Sequence, residues 1–278
     1  MDTITHILIT AATGKTGRRI HTRLASTDLR VRAVSRSTDL LLDWEDRSTW
    51  DAVLDGIDVA YLAYSPDLSF PGSAEVVSAF AVRAVEHGVR RAVLLSGRGE
   101  PTAVEAEEAV RSSGIGLTVL RSSWMAQNFS EDFLVDAVRG GVVAVPASVE
   151  VGEAVVNADD VADAAVAALL DASHDGMTYE LGGPRLLTLA EMAATLADAT
   201  GRPVDAIEIP AEAWTAAAVD QGMPEELAHR YAALFAQILD GRNAHLVAGL
   251  HALLGRPGRD FAAVARAAAA EGAWGVAA

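Results

Sequence analysis

Short apolar runs alternate with longer amphipathic stretches along the first half of the chain. His6-Ile7-Leu8-Ile9-Thr10, Arg30-Val31-Arg32-Ala33-Val34, Leu40-Leu41-Leu42, Val59-Ala60-Tyr61-Leu62-Ala63, Ala92-Val93-Leu94-Leu95-Ser96 and Leu117-Thr118-Val119-Leu120 read as buried strands. Helices are expected between them, over 14–25, 48–54, 73–87 and 102–113, the last two closed by Gly88 and Gly114. Strict alternation of strand and helix predicts an α/β fold: a Rossmann-type, doubly wound parallel sheet with helices on both faces.

Beyond residue 124 the pattern loosens. A helix is expected near 129–139, ending at Gly140-Gly141, with short strands at 142–145 and 154–156. Asp159 or Asp160 is read as the cap of a helix running to 172, and 178–181 as a last strand. Thr188 with Glu191 has the spacing of a capping box. Residues 211–278 are Ala-rich and helical in character. The expected division is a nucleotide-binding domain over 1–185, with its core in 1–122, and a small, mostly helical substrate or lid region over 186–278.

The turn after the first strand carries chemistry. Ala11-Ala12-Thr13-Gly14-Lys15-Thr16-Gly17 lies between a strand and a helix, where unpaired N–H groups and the positive end of a helix dipole favour phosphate. Gly14 and Gly17 suit close backbone approach to a pyrophosphate, and Ala11 stands where a first glycine is usual. After the second strand comes Ser35-Arg36-Ser37, with no acid anywhere in 33–38. A guanidinium beside hydroxyls suits a ribose 2′-phosphate, so the expected cofactor is NADP(H) rather than NAD(H).

Composition narrows this further. The chain has 278 residues, is 51% apolar and carries a formal charge of −16. Such a charge argues against nucleic-acid binding. Residues 1–36 nevertheless hold seven basic groups against two acidic ones, a local patch fit for a small polyanion; Arg18, Arg19 and Arg23 are read within it as a solvated helix face. With no cysteine, disulfides, thiolate catalysis and Cys-ligated zinc are excluded, and a cytoplasmic location is expected. No apolar run is long enough to span a bilayer and no secretory leader is read. The histidines are scattered, so no metal site is expected.

Together with that loop and Arg36, several segments resemble the NmrA-like branch of the atypical short-chain dehydrogenases, above all its azoreductase, quinone-reductase and ergot-alkaloid-reductase-like members. They are Leu42-Asp43-Trp44 with Ser48-Thr49-Trp50, Val59 to Pro66, Gly88 to Ser96, Leu120 to Phe129, Leu181-Gly182-Gly183-Pro184 and Leu254-Gly255-Arg256-Pro257. The resemblance covers nearly the whole chain. It implies NADP(H) lying across the strand ends, with contacts near Asp43 and Trp44 for adenine, near Tyr64, Ser65 and Pro66 for the dinucleotide, and near Ser96 for the nicotinamide. Ser122 departs from the family, where proline is usual.

Ordinary short-chain dehydrogenases use a tyrosine and a lysine four positions on. The only lysine here is Lys15, and the tyrosines are Tyr61, Tyr64, Tyr179 and Tyr231. The region where such a pair would sit reads Ala103-Val104-Glu105-Ala106-Glu107-Glu108, and its acids are expected to face solvent. Hydride delivery to an already electron-poor acceptor survives, because positioning can replace a strong acid. Ser96 and Asn128 are the candidate catalytic residues, Ser96 being equally readable as a turn serine. Arg98, Trp124, Met125, Asn128 and Phe129 are candidates for the substrate, the aromatic members being equally readable as core. The expected partner is a small molecule, and a homodimer stays open. Two other readings stay open beside the reductase: a protein that senses NADP(H) without turnover, and a non-redox biosynthetic enzyme such as a cyclase.

Overall fold

A computed structural model describes residues 4–275. Its strands are β1 His6–Ile9, β2 Arg30–Ala33, β3 Val59–Leu62, β4 Arg91–Gly97, β5 Gly116–Ser122, β6 Val142–Val145, β7 Thr178–Leu181 and β8 Asp205–Glu208. Six form one wholly parallel sheet in the order β2-β1-β3-β4-β5-β7. The order reverses beside β1: β2 lies on one side of it and β3 on the other, so a crevice opens past the carboxyl ends of β1 and β3. Leu8, Leu62, Leu94 and Val119 pack on one face against Val77 and Phe80 of the helix Ser73–Glu86 and Ala103 and Val110 of Pro101–Arg111. The Rossmann expectation holds.

The chain divides into two compact units that interleave along the sequence instead of meeting at a single boundary at 185. The first takes in the chain up to Ser122, Ala158–Leu181 and Gly249–Arg256; the second takes in Ser123–Asn157, Gly182–Ala248 and the chain from Pro257 on. The second unit holds the two-stranded parallel sheet β6-β8 and a core built around Phe129, Trp214, Phe235, Phe261 and Trp274.

Several local expectations change. The first helix begins at Gly17, not Gly14, because the Gly14 N–H closes a turn onto the Ala11 carbonyl at 2.8 Å. Leu40-Leu41-Leu42 is not a strand; only Leu41 bridges, to Ser35. Side-chain oxygens take the backbone donors there, Thr38 Oγ1 binding the Ser35 N–H at 2.8 Å and Ser35 Oγ the Ser37 N–H at 3.1 Å. The segment near 129–139 splits into a 3₁₀ turn at Ala126–Asn128 and a helix Val135–Gly140, and 154–156 contributes an isolated bridge between Val156 and Met125.

Asp159 and Asp160 are not caps. The helix Ala158–Leu170 contains both in its first turn, and they bind arginines. Asp159 meets Arg19 at 3.1 Å and Arg23 at 2.9 Å, Asp163 meets Arg23 at 2.6 Å, and fully buried Asp160 meets Arg256 at 2.7 Å. Arg19 and Arg23 thus clamp two helices of the first unit and are not a solvated face. The Thr188–Glu191 capping box forms with both reciprocal bonds. Among the described residues, no helix is long and apolar enough to cross a membrane, and no cluster of three metal-ligating side chains occurs.

Candidate functional site

The loop Ala11–Thr16 leaves the end of β1 at the reversal of strand order. Thr10 pins it to β3: its hydroxyl accepts the Ala63 N–H at 2.8 Å and donates to the Tyr61 carbonyl at 3.1 Å. The Ala12 N–H bonds the Val34 carbonyl at 3.0 Å, tying the loop to the end of β2. Fully buried Tyr61 donates its phenol to Thr16 Oγ1 at 2.8 Å. Tyr61 is thus a strut under the loop, and burial pushes its phenol well up.

Gly17 is required by backbone contact: a Cβ there would lie 2.2 Å from the Ala11 carbonyl oxygen. At Gly14 the same test gives 3.1 Å, a tight fit and not a clash. Ala11 has φ +48°, the only left-handed non-glycine among the described residues. An alanine in this conformation costs about 1–2 kcal/mol, which explains why a glycine would be expected there. The methyl group is accommodated by strain, not by a widened turn.

Around the crevice, Arg36 and Ser37 are exposed on the turn after β2, and no carboxylate pairs with Arg36 among the described residues. Thr13 is exposed, and Gly14 and Lys15 are half-buried. Past β3, Tyr64 and Ser65 are half-buried and Pro66 is exposed, followed by half-buried Asp67. Burial pushes the Asp67 carboxyl up against the pull of Ser69 and the Lys15 ammonium, which places Lys15 and Asp67 within electrostatic reach. Trp44 packs behind this group; it is 6% exposed, with its ring centroid 4.9 Å from Phe80 and 5.3 Å from Tyr64. Asp43 is half-buried, and its carbonyl accepts the Trp50 indole N–H at 3.0 Å.

A second cluster closes the carboxyl ends of β4, β5 and β7. Ser96 donates its hydroxyl to Glu107 Oε1 at 2.6 Å. Arg121 binds the same carboxylate through Nε at 2.9 Å and Nη2 at 2.7 Å, and Glu107 pushes the Arg121 guanidinium above its usual range. Glu180 follows, 3.9 Å from Arg121 and 3.3 Å from Arg98 Nε. Two acids and two bases thus alternate from Glu107 to Arg98. Arg98 is 2% exposed and belongs to this network, which corrects its reading as a substrate contact. Glu107 is fully buried, against the expectation of a solvent-facing run. The sequence did carry a signal: Ala103, Glu107 and Val110 fall at helical spacing on one buried face of Pro101–Arg111.

In the second unit, Trp124, Met125 and Asn128 are half-buried. Phe129 is core and offers no open wall: it is 1% exposed, its ring lies 5.2 Å from Trp124 and 5.6 Å from Phe261, and its carbonyl accepts the Trp274 indole N–H.

No family model matches the chain. It is 31% identical over 241 residues to an NAD(P)H azoreductase of Xenophilus azovorans, covering 82% of this chain and 81% of that protein. It is 30% identical over 275 residues to a (4-alkanoyl-5-oxo-2,5-dihydrofuran-3-yl)methyl phosphate reductase of Streptomyces griseus, covering 92% of this chain and 95% of that one. Among solved structures, the triphenylmethane reductase of a Citrobacter species, complexed with NADP(H), superposes with a TM-score of 0.76 at 21% identity, over 94% of this chain and 99% of that one, a likeness of fold. The chain belongs to the NmrA-like branch of the atypical short-chain dehydrogenase/reductases.

Proposed function

We propose that the protein is an NADPH-dependent reductase that transfers hydride to a small, flat, electron-poor organic molecule: a quinone, an imine or iminium ion, or an azo compound. The observation that carries the cofactor choice is Arg36, exposed at the end of β2 beside Ser37, with no carboxylate partner among the described residues. The loop between β1 and the first helix is held tight, since the backbone of Gly17 packs too close to Ala11 for any side chain. Relatives named as reductases support the reaction class.

The bound dinucleotide supplies the hydride. The chain's own work is to hold it. N–H groups at the head of Gly17–Leu24 and the Lys15 ammonium meet the diphosphate, and Arg36 with Ser37 meets the 2′-phosphate. Thr13, Tyr64, Ser65 and Pro66 border the crevice between the ends of β1 and β3, and Ser96 stands at the end of β4. Trp124, Met125 and Asn128 of the second unit are the side chains proposed to meet a flat substrate. An acceptor that is already electron-poor needs orientation more than an acid, and orientation alone can supply about 7–11 kcal/mol.

The test is titration of wild type and Arg36→Ala with NADPH and NADH, followed by turnover with a panel of quinones, imines and azo dyes. Arg36→Ala is expected to weaken NADPH about 10- to 100-fold, as loss of a charge-assisted phosphate contact would, and to leave NADH nearly unchanged. Equal loss for both coenzymes rejects the 2′-phosphate assignment. Tight binding of NADPH without oxidation by any acceptor in the panel would reject the reductase in favour of a sensing role.

A further inference from the structure

The hydroxyl of Ser96 carries one proton and two lone pairs. The proton is engaged by Glu107 at 2.6 Å. That carboxylate also accepts three guanidinium contacts from Arg121, Nε on Oε1 at 2.9 Å and on Oε2 at 3.1 Å and Nη2 on Oε2 at 2.7 Å, so the proton in the Ser96–Glu107 bond is the hydroxyl's own. Both partners are shielded from water: Glu107 is fully buried and Ser96 is 4% exposed. Arg121 is held in turn by Glu180, and Glu180 by Arg98. The chain of charges spans β4, the helix Pro101–Arg111, β5 and β7, and fixes the direction of one hydrogen bond at the carboxyl edge of the sheet.

We propose that Glu107, backed by Arg121, is a positioning residue that sets Ser96 as a pure hydrogen-bond acceptor toward the bound coenzyme, where it receives an N–H of the nicotinamide carboxamide. The inference rests on the dinucleotide reading above and adds a polarity to it. A hydroxyl fixed in this way cannot protonate or polarise a carbonyl oxygen, which needs a donor. Ser96 is therefore excluded as the acid of the reaction, and the substrate class narrows to acceptors that take hydride without a proton from this position.

The probe is a pair of oxidised coenzymes: NADP⁺, and its 3-acetylpyridine analogue, in which a methyl ketone replaces the carboxamide and no N–H remains. Binding is measured directly, without substrate or turnover. Wild type is expected to favour NADP⁺ by about tenfold, the value of one well-made hydrogen bond. Ser96→Ala is expected to abolish that preference by weakening NADP⁺ alone. In Glu107→Gln the amide N–H can donate to Ser96 and turn its hydroxyl outward, so the preference is expected to fall or invert. A role confined to packing would weaken both coenzymes together and leave the ratio unchanged, and that result overturns the proposal. Should Glu107→Gln fail to fold, Ser96→Ala decides alone, since it leaves the Glu107–Arg121 pair in place. Failure of wild type to bind either coenzyme would overturn the dinucleotide reading itself, whereas binding with an unchanged ratio overturns only the polarity.

Discussion

The carbonyl oxygen of Ala11 occupies the space into which any side chain at Gly17 would project, 2.2 Å from the position of its Cβ. The clash is with backbone, so no rotamer relieves it. Gly17→Ala is expected to destabilise the protein by about 2–3 kcal/mol, at the upper end of overpacking effects, and to abolish NADPH binding by displacing the loop. Urea unfolding monitored by tryptophan fluorescence checks the first effect and coenzyme titration the second. A variant within ~0.5 kcal/mol of wild type that binds NADPH normally would show that the loop is looser than its geometry indicates.

Ala11 itself invites the opposite substitution. Its φ of +48° is a conformation that glycine adopts without steric cost. Ala11→Gly is expected to stabilise the folded protein by about 0.5–1 kcal/mol, the relief of a left-handed alanine less the added freedom of glycine in the unfolded chain. Thermal unfolding is the check, with a rise of a few degrees expected. A fall in Tm would mean that the methyl group has packing value that outweighs the strain.

Acid should act through Asp58. Burial alone would raise its pKa, but the N–H groups of Thr5 and His6, at 2.8 and 2.9 Å, and the nearby Arg90 outweigh that and hold it at about 2. A folded value below the unfolded one of 3.8 means that the stabilisation is complete above that pH. It is lost as pH falls through about 2. The amount at stake is about 2 kcal/mol. Asp58→Asn is expected to flatten the stability profile between pH 4 and 2, roughly the interval between the two values; an unchanged slope there would assign acid sensitivity to other carboxylates.

Arg256 neutralises Asp160, a carboxylate with no exposed surface, at 2.7 Å. Arg256→Ala is expected to cost about 1–3 kcal/mol. That is less than a fully buried pair would lose, because the arginine side chain is 36% exposed and water can partly replace it. Asp160→Asn in the same background should recover part of the loss. A null effect of Arg256→Ala on the urea midpoint would mean that Asp160 is satisfied by its other neighbours.

The sheet was legible because its strands are buried on both faces: Ile7, Leu8 and Ile9 have no exposed surface, and a run without polar interruption has few other uses. Leu40 to Leu42 has the same look and failed, because Ser35 and Thr38 offer the backbone a turn that apolar content does not reveal. The strand–turn–helix placement of Ala11 to Gly17 is legible from residue type and order. Glu107 hides in a run of charges that composition alone assigns to solvent, although its helical position beside Ala103 and Val110 points inward. Arg19 and Arg23 look like a solvated face in the sequence because their partners, Asp159 and Asp163, are remote and lie on the helix Ala158–Leu170. Pairings of that range leave no local periodicity to read.

The interleaving of the two units has a consequence for synthesis. Strand β7 is made only after the whole excursion from Ser123 to Asn157, and Arg256 later still, after the second excursion from Gly182 to Ala248. While the nascent chain is shorter than this, β5 has an open edge and Asp160 lacks its counter-charge. The nucleotide-binding half therefore cannot mature on the ribosome ahead of the rest, and cutting the chain at any one peptide bond frees neither half intact.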